Sequence, residues 1–300
     1  MAITVLAMIQ MLAGCGGGGA QKTINDRAGT RITMPRKTER IISTAPSNTE
    51  IIIDLGLAER LIAVDTYSAE LAGLRGELVL IDFAYPDAEV IIGLEPDLII
   101  AAGHNQMASG EDPFKLIKET GIAVVYIPTS TGVDGIYEDI RFIAEVLQAG
   151  GRGDELIGQL KEGIDAIAKT GASVSPRKSV YFEISPFPYM VTCGQETYLN
   201  QMIEIIGAEN IFAAEKGWFS PSAEAVIERN PDVILTLVDF TDVPLEEIKN
   251  RDGFAVINAV KNNEVYAIDA NSASRPSPRI LPALRQMARA VYPDIYEEGF

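Results

Sequence analysis

Apolar and polar positions along the chain switch between a helical and an extended period, and one such switch is written twice. Pro86 to Ala101, PDAEVIIGLEPDLIIA, runs from a short amphipathic stretch through a Pro-Asp turn into an unbroken apolar run, and Pro221 to Thr236, PSAEAVIERNPDVILT, does the same. Each copy predicts a short helix, a turn and a strand buried on both faces. Proline stops the helix, and aspartate can take up free backbone donors at the turn. Glu89 and Glu224 hold matching places, each seven residues ahead of its pair (Pro96-Asp97 and Pro231-Asp232), and they lie 135 residues apart, about one domain's length. Any α/β protein repeats helix, turn and strand, but the offset and the matched glutamate predict two related lobes.

The remaining pattern fits that division. Thr23 to Pro35 is turn-rich and predicts a leading hairpin. Arg40 to Thr44, Leu61 to Val64 and Ala123 to Ile127 predict strands; Thr49 to Leu55 and Phe114 to Thr120 predict helices. Ser47 with Glu50 three residues later reads as a capping box, and Gly56 supplies a stop. Strand and helix alternate, so the sheet is predicted to be parallel and covered on both faces. Ligands of such sheets sit beyond the C-terminal strand ends, which selects Thr44 to Asn48, Asp65 to Tyr67, Gly103 to Met107 and Pro128 to Thr131. Ile136 to Leu147 and Asp154 to Lys169 then carry helical spacing on either side of Ala149-Gly150-Gly151, with no Pro or Ser run to mark a flexible linker. Beyond them the alternation resumes: a strand at Ser179 to Ile184, a helix at Thr197 to Ile206, the second copy, a loop at Val238 to Asp242, a strand at Val265 to Ile268, and a closing helix from Ser277 to Val291 led by a polar loop, Asn271 to Pro276.

Composition narrows the function. A chain of 300 residues, 47% hydrophobic and 22% charged, has the length and balance of two globular domains. A net charge of −17 argues against nucleic acid and against electrostatic docking on anionic lipid. The two cysteines need separate explanations. Cys15 follows Ala2 to Gly14, AITVLAMIQMLAG, an apolar segment too short to span a bilayer and the right size for a signal-peptide core. Leu12-Ala13-Gly14-Cys15 resembles the lipobox of bacterial lipoproteins, whose cysteine is acylated, and Gly16 to Ala20 resembles the flexible tether behind such an anchor. No Lys or Arg precedes the apolar core, which leaves room for a start further upstream. Cys193 reads as a small buried hydrophobe.

Five segments in order, TERIISTAPSNTEIIIDLG, AEVIIGLEPDLIIA, TYLNQMIEIIGAENIF, SAEAVIERNPDVILT and SRPSPRILPALRQMARAVYP, resemble the substrate-binding lipoproteins of bacterial ABC importers for cobalamin and ferric siderophores. The resemblance covers Thr23 to Pro293. It implies an α/β fold of two lobes, each with a central mostly parallel sheet flanked by helices, joined by one long rigid helix. The corresponding division is 1–22 for signal peptide, lipidated cysteine and tether, 23–148 for the N-terminal lobe, 149–172 for the connecting helix and 173–300 for the C-terminal lobe. It also implies extracytoplasmic placement on a lipid anchor, action as a monomer, and an ABC permease dimer with ATPase subunits as partner. Glu89 and Glu224 stand where family members present one glutamate per lobe to permease arginines. Arg-carboxylate pairs are directional, so two acids at a fixed spacing gauge a two-fold symmetric partner.

The ligand is expected between the lobes, on strand-end loops of both. Ser47, Tyr67, His104 and Asn105 are candidates from the first lobe; Phe187, Tyr189, Trp218, Phe240 and Arg275 are candidates from the second. Aromatic faces suit a large flat chelate that needs few polar groups to orient it. Arg275 could pair with a ligand carboxylate or phosphate, whereas Arg279 reads as structural. His104, the one histidine, reads as a hydrogen-bonding group rather than a metal ligand. One histidine cannot enclose a bare zinc or manganese ion, so no protein-held metal is expected. Few cations on the loops weigh against catecholate siderophores and favour a corrinoid or a hydroxamate siderophore, while haem stays open through an axial His104 or Tyr67. PFPYMVTCGQETYLNQMIEIIGAENIF also resembles corrinoid binders of anaerobic Gram-positive bacteria. An enzyme is the competing class. A Ser-His-Asp set could be built only through His104, and neither a Gly-x-Ser-x-Gly elbow nor a phosphate loop is present.

Overall fold

In the computed structural model, which describes residues 22–103, 105, 112–239 and 243–297, the apolar runs pair into two parallel sheets. A leading hairpin, β1 (Thr23–Asn25) and β2 (Arg31–Thr33), pairs in antiparallel register with Ile24 opposite Ile32. Asp26 ties its turn to the first lobe by accepting from Thr30 N at 2.7 Å and Tyr126 N at 3.0 Å.

The first sheet is built from β3 (Ile41–Ser43), β4 (Leu61–Asp65), β5 (Val79–Ile81), β6 (Leu98–Ala102) and β7 (Ala123–Ile127). Helices α1 (Pro46–Asp54), α2 (Ala88–Gly93) and α3 (Lys115–Glu119) lie between its strands in sequence. The spatial order is β5-β4-β3-β6-β7, all parallel, so the chain leaves β3 in one direction and returns to its other side at β6. The loops after β3 and β6 therefore part and open a crevice.

Two helices follow, α4 (Val133–Val146) and α5 (Gly150–Gly171). With 22 residues at about 1.5 Å each, α5 is about 33 Å long. Glycine pins both of its ends. A Cβ on Gly153 would come within 2.5 Å of Ala144 Cβ in α4, and one on Gly171 within 2.2 Å of the Ile205 carbonyl oxygen in the second lobe.

The second lobe comprises β8 (Ser179–Glu183), β9 (Thr192–Cys193), α6 (Tyr198–Ile205), β10 (Glu209–Asn210), β11 (Trp218–Phe219), α7 (Ala223–Arg229), β12 (Val233–Thr236), α8 (Pro244–Asn250), α9 (Asn258–Lys261), β13 (Val265–Ala267), α10 (Ala270–Ser274) and α11 (Ile280–Val291). Its parallel sheet is ordered β10-β8-β12-β13, with the reversal of direction between β8 and β12, and β9 pairs with β11 as a separate antiparallel ribbon.

The two copies of the repeated segment fold alike. Asp87 caps α2 and Ser222 caps α7. Asp97 accepts from Glu39 N and Arg40 N at the entry to β3, and Asp232 accepts from the backbone N and hydroxyl of Ser179 at the start of β8. Each Pro-Asp turn thus clasps the strand beside its own.

Side chains alternate across each sheet, as the two-residue period requires. Ile41 faces one core and Ile42 another; Val180 and Phe182 face one way and Tyr181 the other. One face of both sheets joins a single buried cluster that runs through Ile157, Leu160, Ile164 and Ile167 of α5. The outer faces have cores of their own, around Ile99 and Phe114 in the first lobe and around Phe212 and Ile234 in the second. A connector that is part of the shared core holds the lobes at a set separation.

Three local expectations change. The capping box does not form: Pro46 starts α1 with Ala45 at the cap and no side-chain cap bond, and Glu50 is 2% exposed and turned to the other lobe. Proline at the first helical position presets the turn, which removes the need for a serine cap. The polar stretch from Asn271 is not all loop, because Asp269 accepts from Ser272 N and starts α10. The closing helix begins at Ile280, after the Pro276 and Pro278 turns, rather than at Ser277.

Candidate functional site: a cleft walled by both lobes

The C-terminal strand ends of both sheets face a cavity of about 390 Å³ between the lobes. From the first lobe its wall takes the turn from β3 into α1 (Ala45 to Asn48), Tyr67 after β4, Phe83 after β5 and Pro128-Thr129 after β7. The second lobe contributes Asp239 after β12 and the α10 segment through Pro276. Of the candidates named from sequence, Ser47, Tyr67 and Arg275 line this wall.

A buried ion pair crosses between the lobes at the cavity. Arg275 Nη1 donates to Glu50 Oε1 at 2.9 Å, and Ser277 Oγ donates to Glu50 Oε2 at 2.5 Å. Arg275 Nη2 is held by Asn271 Oδ1 at 2.6 Å. Arg279 approaches Asp54 at 3.6 Å and makes a second, looser bridge between the lobes. Arg275 therefore carries its own counterion. Its expected role against a ligand anion gives way to a bridge between lobes, with its charge largely balanced before any ligand arrives. A second buried acid in the wall, Asp139, is balanced in the same way by Arg27 Nε at 2.8 Å and by the Ser130 hydroxyl.

Beneath the wall lies a polar scaffold. Asn105 is completely buried: its Oδ1 accepts from Thr44 Oγ1 and Ala102 N, each at 2.8 Å, and its Nδ2 donates to the Phe83 carbonyl at 2.6 Å. These bonds tie together the loops after β3, β5 and β6, and its hydrogen-bonding groups are turned to protein rather than to the cavity. Asp65 accepts from Tyr67 N at 2.9 Å and from the Ser68 hydroxyl, which fixes the turn that carries Tyr67. Tyr67 is 68% exposed and meets Phe83 edge-to-face at 5.8 Å, so an aromatic pair stands in the wall. Phe83 went unnoticed in the sequence because β5 is three residues long in a polar neighbourhood, although the Asp-Phe-Ala-Tyr run behind it is a strand-end loop like those selected.

The other aromatics stand apart from the cavity wall. Phe187 and Tyr189 are 55% and 83% exposed on the loop between β8 and β9. Trp218 packs edge-to-face on Tyr198 at 5.7 Å, and the Tyr198 hydroxyl donates to the Ala273 carbonyl in α10. The Phe187 loop is anchored from below by Arg251, whose Nη1 reaches Met190 Sδ at 3.2 Å. Cys193 is buried, and burial pushes its thiol up to about 12. His104, Phe240 and Cys15 lie outside the described residues.

Glu89 and Glu224 are both exposed in the first turns of α2 and α7, and neither makes an ion pair with a described residue. Each of these helices runs directly into a strand of a parallel sheet, α2 into β6 and α7 into β12, so its first turn lies toward the C-terminal ends of the strands. Both carboxylates therefore lie at the cleft edge of their lobes.

Burial pushes the carboxyls of Glu50, Asp54, Asp65, Asp139 and Glu183 above the ordinary carboxylate range, with hydrogen bonds and cations holding back part of the rise. Such groups bind protons more readily folded than unfolded. Their contribution to stability is full below the unfolded value, about 4, and is lost as pH rises through the raised folded values. Asp112 and Asp232 are held below the range despite burial, by Lys118 and Tyr126 and by Ser179 respectively, and act oppositely only in more acid solution. The melting temperature in high salt, which screens surface repulsion, is therefore expected to rise as pH falls from neutral toward the ordinary carboxylate range. A steady fall over that interval would contradict these assignments.

The comparisons with known proteins agree with this architecture. Residues 41–272 match the family model described as periplasmic binding protein. The chain is 32% identical over 309 residues to the uncharacterized ABC transporter substrate-binding lipoprotein YvrC of Bacillus subtilis, spanning 96% of this chain and 95% of that protein. Among solved structures, a possible iron-binding periplasmic solute-binding protein of Staphylococcus epidermidis superposes with a TM-score of 0.77 at 32% identity, covering 86% of this chain and all of the other. The periplasmic vitamin B12 binding protein BtuF of Vibrio cholerae superposes at 0.68 with 27% identity, covering 84% and 96%. With two parallel-sheet lobes, a helical connector and a cleft at the strand ends, the chain belongs to the periplasmic binding protein family, among the substrate-binding proteins of ABC importers.

Proposed function

We propose that this protein captures a bulky, near-neutral metal chelate, a corrinoid or a ferric hydroxamate siderophore, in the inter-lobe cleft and delivers it to an ABC permease. The observation that carries this reading is that the wall offers no free cation among the described residues: Arg275 is engaged by Glu50 and Arg27 by Asp139, while Asp239 stands in the wall without an ion pair to a described residue. A strongly anionic ligand would need cations that are not already engaged. The aromatic pair Tyr67 and Phe83 suits the face of a macrocycle or chelate, and the exposed rings of Phe187, Tyr189 and Trp218 suit the part of a large ligand that projects from a cavity of this size. Cys15 would hold the protein on the outer face of the cell membrane through its lipid, in keeping with the lipoprotein YvrC; no helix among the described residues is long and apolar enough to cross a membrane. Glu89 and Glu224 would dock on the permease. The reading includes no catalytic step.

Haem is a second reading, favoured by the exposed Tyr67 phenol in the wall, which could serve as an axial oxygen ligand. Calorimetric titration of the purified protein with cyanocobalamin, ferrichrome, a ferric catecholate and haem separates these. One-to-one binding of cyanocobalamin or ferrichrome, with the catecholate rejected, is expected. Binding confined to the catecholate, or hydrolytic turnover of any probe, would overturn the proposal.

A further inference from the structure

Asn48 is a buried wall residue whose amide nitrogen has no hydrogen-bond partner among the described residues. It sits in the first turn of α1, is 1% exposed and forms part of the cavity wall. Its Nδ2 is sealed from solvent and has no acceptor among the described residues. The buried polar side chains of α1, the wall and the scaffold beneath it named above are spent: Thr49 on Ser43 and Ala45, Glu50 on Arg275 and Ser277, Asp139 on Arg27 and Ser130, Asn105 on three loops. A buried donor without a partner is unfavourable, and such groups in native folds call for an explanation. The terminal torsion of asparagine is soft and two-fold, so a turn about it presents either amide atom to the cavity at little cost.

We infer that Asn48 is a specificity-determining residue, whose Nδ2 donates to an uncharged carbonyl oxygen of the bound chelate, such as a side-chain carboxamide. This rests on the reading of the cleft as a chelate site and sharpens it. The acceptor is an uncharged one because acids already stand at this cleft, Asp139 and Asp239 in its wall and Glu50 further along α1. The cations Arg275 and Arg27 are already engaged. A ligand carboxylate placed there would meet no free cation among the described residues, whereas a carboxamide oxygen meets the waiting N–H with no charge to desolvate.

Asn48→Leu and Asn48→Asp test this in the whole protein, by two independent readouts. The first needs no ligand. Leucine keeps the heavy-atom count and branch point of asparagine and removes the unanswered donor, so the melting temperature of the ligand-free protein is expected to rise by roughly 2–4 °C. A fall would mean that Asn48 is satisfied within the fold and would overturn the inference. The second readout is affinity for cyanocobalamin, which carries several carboxamides, beside haem, which carries carboxylates and none. Asn48→Leu is expected to weaken cyanocobalamin by about 10- to 100-fold, and Asn48→Asp, which turns the donor into an anion, by at least as much. An unchanged dissociation constant in Asn48→Leu, with the wild type binding normally, overturns the role of Asn48 and leaves the chelate reading standing. Haem bound more tightly than cyanocobalamin and indifferent to Asn48→Leu also overturns it. If wild-type protein binds none of cyanocobalamin, ferrichrome and haem, the chelate reading fails and the inference fails with it.

Discussion

Replacing Arg251 with alanine is expected to lower the unfolding free energy by about 3–5 kcal/mol. The guanidinium grips Glu183 with two bonds, Nη1 to Oε2 at 2.7 Å and Nη2 to Oε1 at 3.1 Å, and the Glu183 side chain has no exposure. Its fork also takes Glu247 at 2.5 Å, and its plane lies over the Phe254 ring at 4.7 Å. Alanine leaves Glu183 as a buried carboxylate whose closest remaining donor is the Tyr181 hydroxyl at 3.5 Å. Burial already pushes that carboxyl upward, so part of the loss is taken as protonation rather than as a bare charge. The damage is the unpaired partner rather than the missing pair, so a second change, Glu183→Gln, is expected to restore part of the stability. The same substitution frees Met190 and with it the loop that presents Phe187 and Tyr189 beyond β8. Chemical denaturation of the two variants beside wild type checks this. A loss below about 1 kcal/mol in Arg251→Ala, the range of an exposed pair, would show that Glu183 is not sealed from water.

Much of the fold was legible because its signals are local. The repeated segment announces itself through a Pro-Asp turn, a short helix and an apolar run, and the strand Ala123–Ile127 has the bounds its composition predicts. The connector was legible from its helical spacing and the absence of a linker, although it begins at Gly150, inside the glycine pair that reads as an interruption. Glycine costs a helix only about 1 kcal/mol, so Gly150 and Gly151 are tolerated in the first turn although no neighbour crowds them, while Gly153 permits the close approach to α4. The site was harder because its decisive contacts are distant in sequence. Glu50 follows Ser47 at capping-box spacing, yet its partner Arg275 is 225 residues away, and no local pattern reports such a bond. Asn105 stands on a strand-end loop like its neighbours, and only the fold shows its side chain turned inward to two backbone groups and the Thr44 hydroxyl. Asn48 ends a strand-end loop that the sequence selects, but its unanswered donor is visible only when everything around it has been placed.

Changing Glu89 and Glu224 together to alanine is expected to abolish uptake in cells while leaving ligand affinity unchanged. The two acids occupy the same position of two matched helices, each capped by a side-chain oxygen (Asp87 and Ser222), and both carboxylates are exposed at the cleft edge with no described partner. The connector shares a core with both lobes, so their spacing is a property of the folded protein rather than of the ligand. An Arg-carboxylate contact that becomes desolvated on docking is worth about 2–5 kcal/mol when one partner is removed, and losing two multiplies to a thousand-fold or more. Neither glutamate lines the cavity, so binding of the chelate has no reason to change.

Measuring cellular uptake by the double variant beside the dissociation constant of the same purified protein puts the delivery function to its most direct test. Uptake reduced to background with an unaltered dissociation constant is the expected result. Uptake that persists, or an affinity that falls in step with it, would contradict a cleft that captures its ligand between two acidic docking points.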